Sequence, residues 1–363
     1  MFFRQKKSPE LPPIETFKLG SRYYFARLCP DDRKWYREIY DAWLTGASEV
    51  CLNMPGTKFE TPSGTAFLDL VLAVVEDNPH LFHVERTDFH FRRLGSKVWI
   101  TSKNIYTPEE FRHTYELLKQ RVTQILTAAK KYSNKFDQVR FLHDYLAASI
   151  TYDYCESNPK TAREAHTIVG ALLNRRCVCD GYARAFRLLC DRLGISCIVV
   201  IGEGPTDATP EGHAWNIVKL DRVPYHVDVT WDSSCTEGRV VKDFEFMLGD
   251  ASAGRRHSWD KTAYPRCPRD WPRREKLLST VPELEEELVR HLREKHHSFM
   301  LRLDGPLRSQ ATFTQELGQL HRKHASLYPK KGDLMTYFYD KYGYAEFIYV
   351  PNTQKGEGSH EYD

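Results

Sequence analysis
Residues 179 to 231 constrain the fold more than any other part of this chain, because they spell a helix, an apolar strand and then two strands joined by a short turn. Tyr182, Phe186, Leu189 and Leu193 recur at helical spacing, and Gly194 stands where a left-handed helix end is expected, so 181–193 reads as a helix. Cys197-Ile198-Val199-Val200-Ile201 is short, apolar and β-branched, which suits a buried strand. After a polar loop, Gly202 to Gly212, the stretches His213 to Leu220 and Tyr225 to Trp231 read as two strands connected around Asp221 and Arg222. A helix packed on an antiparallel sheet is an α+β arrangement.

The register of the two strands decides which side chains meet. A two-residue turn at Asp221 and Arg222 pairs Leu220 with Val223, sets His213 opposite Thr230, and makes His213 and Asp228 diagonal neighbours on one face, roughly 7–8 Å apart along the backbone. Arg222 is a poor residue for such a turn, which favours Gly. A four-residue connection through Pro224 keeps both side chains on one face but further apart, and a three-residue one puts them on opposite faces.

These positions carry the parts of a nucleophilic acyl-transfer site. Cys179 and Asp180 fall at the start of the helix, where unpaired N–H groups and the helix dipole favour an anion and could also hold a developing oxyanion. A thiol cleaves an amide when an imidazole exchanges protons with it and a third group orients that imidazole. Cys179, His213 and Asp228 supply those three groups in order.

The motifs Val178-Cys179-Asp180-Gly181-Tyr182-Ala183, His213-Ala214-Trp215-Asn216 and Val227-Asp228-Val229-Thr230-Trp231-Asp232 resemble the transglutaminase-like superfamily, in its bacterial branch. The likeness extends upstream through Phe141 to Leu146, Ile150 to Asp153 and Gly170 to Leu173, and covers about 135–268. Glu76-Asp77-Asn78-Pro79 and its following hairpin resemble a helper region found before such cores. The resemblance implies a papain-like core with Cys179 as nucleophile, His213 as general base and acid, and Asp228 as the orienting carboxylate. In two places the chain departs from the family pattern. Cys177 stands where Gly is more usual, and Val169 occupies an aromatic position that helps form an oxyanion hole, leaving backbone N–H groups or His166 for that task. Trp215 and His226 are further candidates to line the site, with His226 sharing a face with Asp228 or else lying at the surface.

Other readings of the same residues are blander. Cys177, Cys155, Cys190 and Cys197 are assigned to packing, since free cysteine behaves as a small apolar residue. A zinc site from Cys177, Cys179 and a histidine is disfavoured by the Cys-x-Cys spacing, and no acidic loop has calcium-binding spacing, so no metal or cofactor is expected. His257, in a segment that recurs after such cores, is assigned a structural role.

The rest of the chain reads as modules around this core. Residues 1–24 are a basic, proline-containing lead, 25–105 a small N-terminal α+β module, and 106–268 the core, entered through helices at Pro108 to Tyr132 and Phe136 to Ser149. The Arg- and Pro-rich stretch from Arg255 to Arg274 reads as a rigid connector, with 269–281 as linker. Residues 282–352 form a small C-terminal α+β module and 353–363 a frayed tail.

With 52 basic against 49 acidic residues, net charge +3 is too weak to imply nucleic acid, and no apolar run is long enough for a membrane span. Nine dispersed cysteines and no secretory signal give a cytoplasmic expectation. The expected activity is hydrolysis of peptide or protein amides through a thioester. The alternatives are amine transfer by a transglutaminase and a non-catalytic peptide- or cell-wall-binding module. The terminal module is a candidate to bind a further, unidentified partner.

Overall fold
The computed structural model describes residues 22–54, 65–86, 88–154, 158–204, 211–233, 241–273, 276–328, 330, 332–339 and 342–351. They form two compact units, one ending at Trp271 and the other beginning at Pro272. Residues 1–21 of the basic lead, the frayed tail and Cys155 lie outside the described residues.

The first unit opens with α1 (Tyr23–Arg27), α2 (Pro30–Leu44), β1 (Glu49–Asn53), α3 (Thr65–Asp77) and the hairpin β2 (His90–Leu94) and β3 (Lys97–Thr101), which turns at Gly95 and Ser96 as its sequence predicts. The three strands pair in the order β1-β3-β2. Trp35, Tyr36, Ile39 and Trp43 of α2 pack with Val71 and Val74 of α3 in one apolar cluster. The helix α4 (Pro108–Ala129) starts with Thr107 accepting from Glu110 N–H while Glu110 caps in return, and α5 (Lys135–Ser149) starts at Asn134.

The core then follows as β4 (Thr151–Tyr152), α6 (Pro159–Ala165), β5 (Arg176–Cys177), α7 (Cys179–Arg192), β6 (Ser196–Gly204), β7 (Glu211–Leu220), β8 (Val223–Val227), α8 (Val229–Asp232), β9 (Phe246–Leu248) and α9 (Asp250–Ala253). Four strands pair in the order β6-β7-β8-β9, all antiparallel, and α7 packs on β6 and β7. The helix, strand and hairpin legible between 179 and 231 are therefore present, with three adjustments. The helix begins two residues earlier, at Cys179 itself. Both Asp221 and Arg222 take positive φ, 47° and 67°, so the two-residue turn forms despite the absence of Gly, and Leu220 pairs with Val223. The second strand, however, ends at Val227, because Asp228 leaves the ladder to cap α8 through Thr230 and Trp231 N–H. His213 is thus not laddered to Thr230.

The N-terminal elements hold α7 from behind. Arg184 Nη2 pairs with Glu76 Oε1 at 2.8 Å, and Arg187 Nη2 with Asp77 Oδ1 at 3.3 Å. Asp77 also accepts from the backbone N–H groups of Phe25 and Tyr24 at 2.8 and 3.2 Å. Both members of the Arg187–Asp77 pair are buried, so each charge depends on its partner for solvation. The basic Pro-rich stretch after α9 is packed on this core as far as Trp271, whose ring stacks on Phe136 at 4.7 Å, while Asp270 accepts from Gly249 N–H at 2.7 Å.

In the second unit, β10 (Leu277–Leu278), α10 (Val281–Arg293), β11 (Ser298–Leu303), α11 (Gln310–Lys323), β12 (Gly332–Tyr339) and β13 (Tyr344–Pro351) give a sheet of order β10-β11-β13-β12. Leu284, Leu288 and Leu292 of α10 and Phe313 and Leu320 of α11 bury one face with Phe299 and Phe347 of the sheet. After α11 ends at Lys323, a single 3-10 turn spans Ala325–Leu327.

Candidate active site
Local packing sets the place of Cys179 before any chemistry is considered. Cys177 lies in β5, paired with Tyr152 of β4, and its thiol is fully buried, where loss of hydration pushes its pKa well up. Cys177 therefore belongs to the interior, as its packing assignment expects. Val178 N–H donates to Ala165 O at 3.2 Å, and Tyr182 O–H to Ile150 O at 2.8 Å, which pins the first turn of α7. Gly181 has no alternative: a Cβ there would sit 2.6 Å from Ala165 O and 2.6 Å from Cys177 Cβ. Cys179 is left half-exposed at the first helical position, against Ala183, Val199 and Ala214.

His213, on β7, lies near enough to Cys179 for the sulfur to raise its pKa, while its Nε2 lies 2.6 Å from Asp228 Oδ2. With Nε2 committed to the carboxylate, Nδ1 is the ring nitrogen left to exchange a proton with sulfur. Burial opposes charging of His213, but Asp228 and Cys179 outweigh it and push its pKa up to about 10. Asp228 is itself buried, which disfavours its charge, yet His213 and His257 hold it well below the usual carboxylate range. Its Oδ1 accepts from Thr230 and Trp231 N–H at 2.9 and 3.2 Å, and its Oδ2 also meets His257 Nε2 at 2.9 Å. Leaving the strand at Val227 thus costs Asp228 a ladder partner and gives it two cap bonds that fix its rotamer.

Indole rings surround the imidazole. Trp231 lies nearly parallel to His213 with centroids 4.8 Å apart, and Trp215 at 5.9 Å. Gly204 makes room for this, since a Cβ there would fall 2.5 Å from Trp231 Cζ2.

The further candidates read from sequence divide. Trp215 and His226 are both buried, so neither faces a substrate. Trp215 Nε1–H donates to His226 Nδ1 at 3.0 Å, and His226 Nε2 meets Asp250 Oδ1 at 3.0 Å, making a brace behind His213. Burial pushes the His226 pKa down to about 4 despite Asp250. His226 lies opposite Ile217 and so shares a face with Trp215 and His213. His166 is partly exposed and its Nδ1 pairs with Asp180 Oδ2 at 3.0 Å. Asp180 in turn binds Arg86, and together with Arg184 these cations and His166 overcome burial to keep its carboxylate charged. His166 and Arg86 line a small pocket with Glu85, Arg163, Thr167 and Arg184.

Sequence reasoning missed several neighbours. Tyr152 and Arg86 both lie near enough to Cys179 to feel its charge. The pairing of His257 with Asp228 was also unread, although its segment was singled out. Behind Asp228, His143 bridges Asp144 at 2.8 Å and Asp232 at 3.2 Å, and these partners overcome burial to push its pKa up to about 9. Asp232 accepts Glu245 N–H at 3.0 Å, and Glu245 O receives Asp228 N–H at 2.9 Å.

Among the described residues, two groups bring three metal-ligating donor atoms within 4.8 Å of one another: His213, Asp228 and His257, and His226, Asp250 and Cys267. Neither includes Cys177 or Cys179. In the first, both imidazoles already donate to Asp228. In the second, the indole N–H of Trp215 occupies the His226 Nδ1 lone pair, so Nε2 carries the proton and offers no lone pair to a cation. Hydrogen bonding accounts for both groups.

Residues 120–230 match the family described as the transglutaminase-like superfamily. This stretch, which contains Cys179, His213 and Asp228, is similar to that superfamily. The kyphoscoliosis peptidase of mouse is 28% identical over 141 residues, 37% of this chain and 21% of that protein. The human kyphoscoliosis peptidase is 28% identical over 122 residues, 31% of this chain and 18% of that protein. The chain therefore spans about a fifth of the length of these relatives. A crystal structure of a TGase aligns with TM-score 0.29 and 14% identity, covering 53% of this chain and 52% of the other.

Proposed function
We propose that the chain is a cysteine-nucleophile enzyme that cleaves amides of peptide or protein substrates through a thioester on Cys179. The supporting observation is the arrangement of one partly exposed thiol at the first position of α7, near enough to the His213 imidazole to raise its pKa, with that ring's Nε2 2.6 Å from a buried carboxylate. In this reading the Cys179 proton passes to His213 Nδ1, sulfur attacks the carbonyl carbon, and the C–N bond breaks as His213 returns that proton to the leaving amine. Water, deprotonated by His213, then releases the acid and restores the thiol. Asp228 keeps its charge throughout and holds Nε2–H.

Hydrolysis is favoured over amine transfer because water needs no dedicated channel, and the mouse and human relatives carry the name peptidase. No described helix is long and apolar enough to cross a membrane, and a cytoplasmic setting and a partner for the second unit are part of the proposal.

A glutamine-containing peptide incubated with the protein and excess primary amine, and read by mass spectrometry, tests the reaction. Free acid product that disappears in Cys179→Ala supports the hydrolase. Amide-linked product assigns amine transfer, and no product in either case, with Cys179 inert to an activated ester, removes the enzyme reading.

A further inference from the structure
His257 sits on the far side of Asp228 from the nucleophile, and its two nitrogens face acceptors alone. Nε2 is 2.9 Å from Asp228 Oδ2, and Nδ1 is 3.2 Å from Ala253 O, with Glu245 Oε2 at 3.8 Å. A carbonyl and a carboxylate can only accept, so the nitrogen facing Asp228 is placed to donate its N–H to Oδ2. The ring is buried, with indoles on its faces: Trp231 at 4.2 Å and Trp215 at 4.5 Å between centroids.

Asp228 does not need this bond to keep its orientation, since two backbone N–H groups already hold Oδ1. The bond falls instead on Oδ2, the same oxygen that His213 uses, and the two imidazole rings are 5.8 Å apart. A second N–H donor on one carboxylate oxygen weakens what that oxygen offers the first.

We infer that His257 is a positioning residue that sets how tightly His213 holds its proton: it shares Asp228 Oδ2 and draws off part of the carboxylate's charge. The inference rests on the catalytic reading of Cys179, His213 and Asp228. With Asp228 serving His213 alone, the imidazole would bind its proton more firmly still. His257 moderates it. The other charged or titratable groups around this ring are Glu245, Arg256, whose Nε is 3.6 Å from Glu245, and His226 of β8.

The test uses the full chain with isotope-labelled histidine, following each ring by NMR as pH is raised. His257→Phe keeps a ring between the indoles and removes the N–H from Asp228 Oδ2, so the His213 midpoint moves up by roughly half a unit or more, whereas His257→Gln, which can still donate there, stays nearer the wild type. A His213 midpoint that coincides in wild type and His257→Phe overturns the inference, because a purely structural clamp leaves it unmoved. If the Phe variant does not fold, a wild-type His257 Nε2 that carries no proton towards Asp228 overturns it instead. Cys179→Ala separates the two levels: if it leaves the His213 titration unchanged, the catalytic reading fails independently of what His257 does.

Discussion

Replacing Asp228 by Asn is the most informative single change, because it keeps shape and reverses hydrogen-bond sense at one end. The Asn carbonyl can still accept from Thr230 and Trp231 N–H, as Oδ1 does at 2.9 and 3.2 Å. Its amide then points N–H groups at His213 Nε2 and His257 Nε2, where two donors now oppose donors. His213 must turn its Nε2 lone pair to the amide and carry its proton on Nδ1, which leaves nothing to accept the Cys179 proton. The stabilisation at stake is bounded by the rise of His213 from 6.5 to about 10, or about 5 kcal/mol at about 1.36 kcal/mol per unit. Part of that rise belongs to Cys179, so about 3–4 kcal/mol is the expected loss, a rate reduction on the order of 10³-fold. Acylation of the protein by p-nitrophenyl acetate, read as the burst of nitrophenolate, measures it. A folded Asp228→Asn protein with a burst as fast as wild type would show that the carboxylate does not govern His213.

Stability should follow the same charges. His213 has its pKa raised by folding, so its contribution is complete below about 6.5 and is lost as pH rises towards about 10, and thermal melts of wild type and His213→Ala should converge over that interval. Arg187→Met leaves Asp77 buried without its guanidinium and should cost about 3–5 kcal/mol in urea unfolding, with wild-type stability refuting the clamp on α7. Gly202→Ala puts a Cβ 2.3 Å from Ser258 O and 2.7 Å from the Trp215 ring, so it should destabilise by about 1–3 kcal/mol and slow acylation as well, since Trp215 lies behind His213.

The sequence was most legible where short-range chemistry decides. Apolar spacing on α7, the β-branched run of β6 and the motif residues themselves sufficed to place a thiol, an imidazole and a carboxylate near one another. The turn at Asp221 and Arg222 was readable only as one of several registers, because positive φ at two non-glycine residues is a tertiary imposition that propensity does not foresee. The exit of Asp228 from the strand was missed for a related reason. Val227-Asp228-Val229-Thr230 alternates like a strand, and only the capping of α8 reveals that Asp228 is better used by Thr230 and Trp231 N–H. Period-two alternation put His226 on the face of Trp215 and His213 but did not reveal that this face is buried. Arg86 and His257 reach the site across 94 and 29 residues, contacts that no local pattern records.

The central claim is that Cys179 is the activated thiol of this protein, and competitive alkylation tests it most directly. Limiting iodoacetamide is applied below the pH at which an ordinary thiol of pKa about 8.5 ionises, and each cysteine is then quantified by peptide mass mapping. Modification at half-exposed Cys179 should run ahead of that at the exposed Cys29 and Cys51, and the lead should vanish in His213→Ala. Labelling that simply follows exposure, with Cys29 and Cys51 first and Cys179 indifferent to His213, would contradict it.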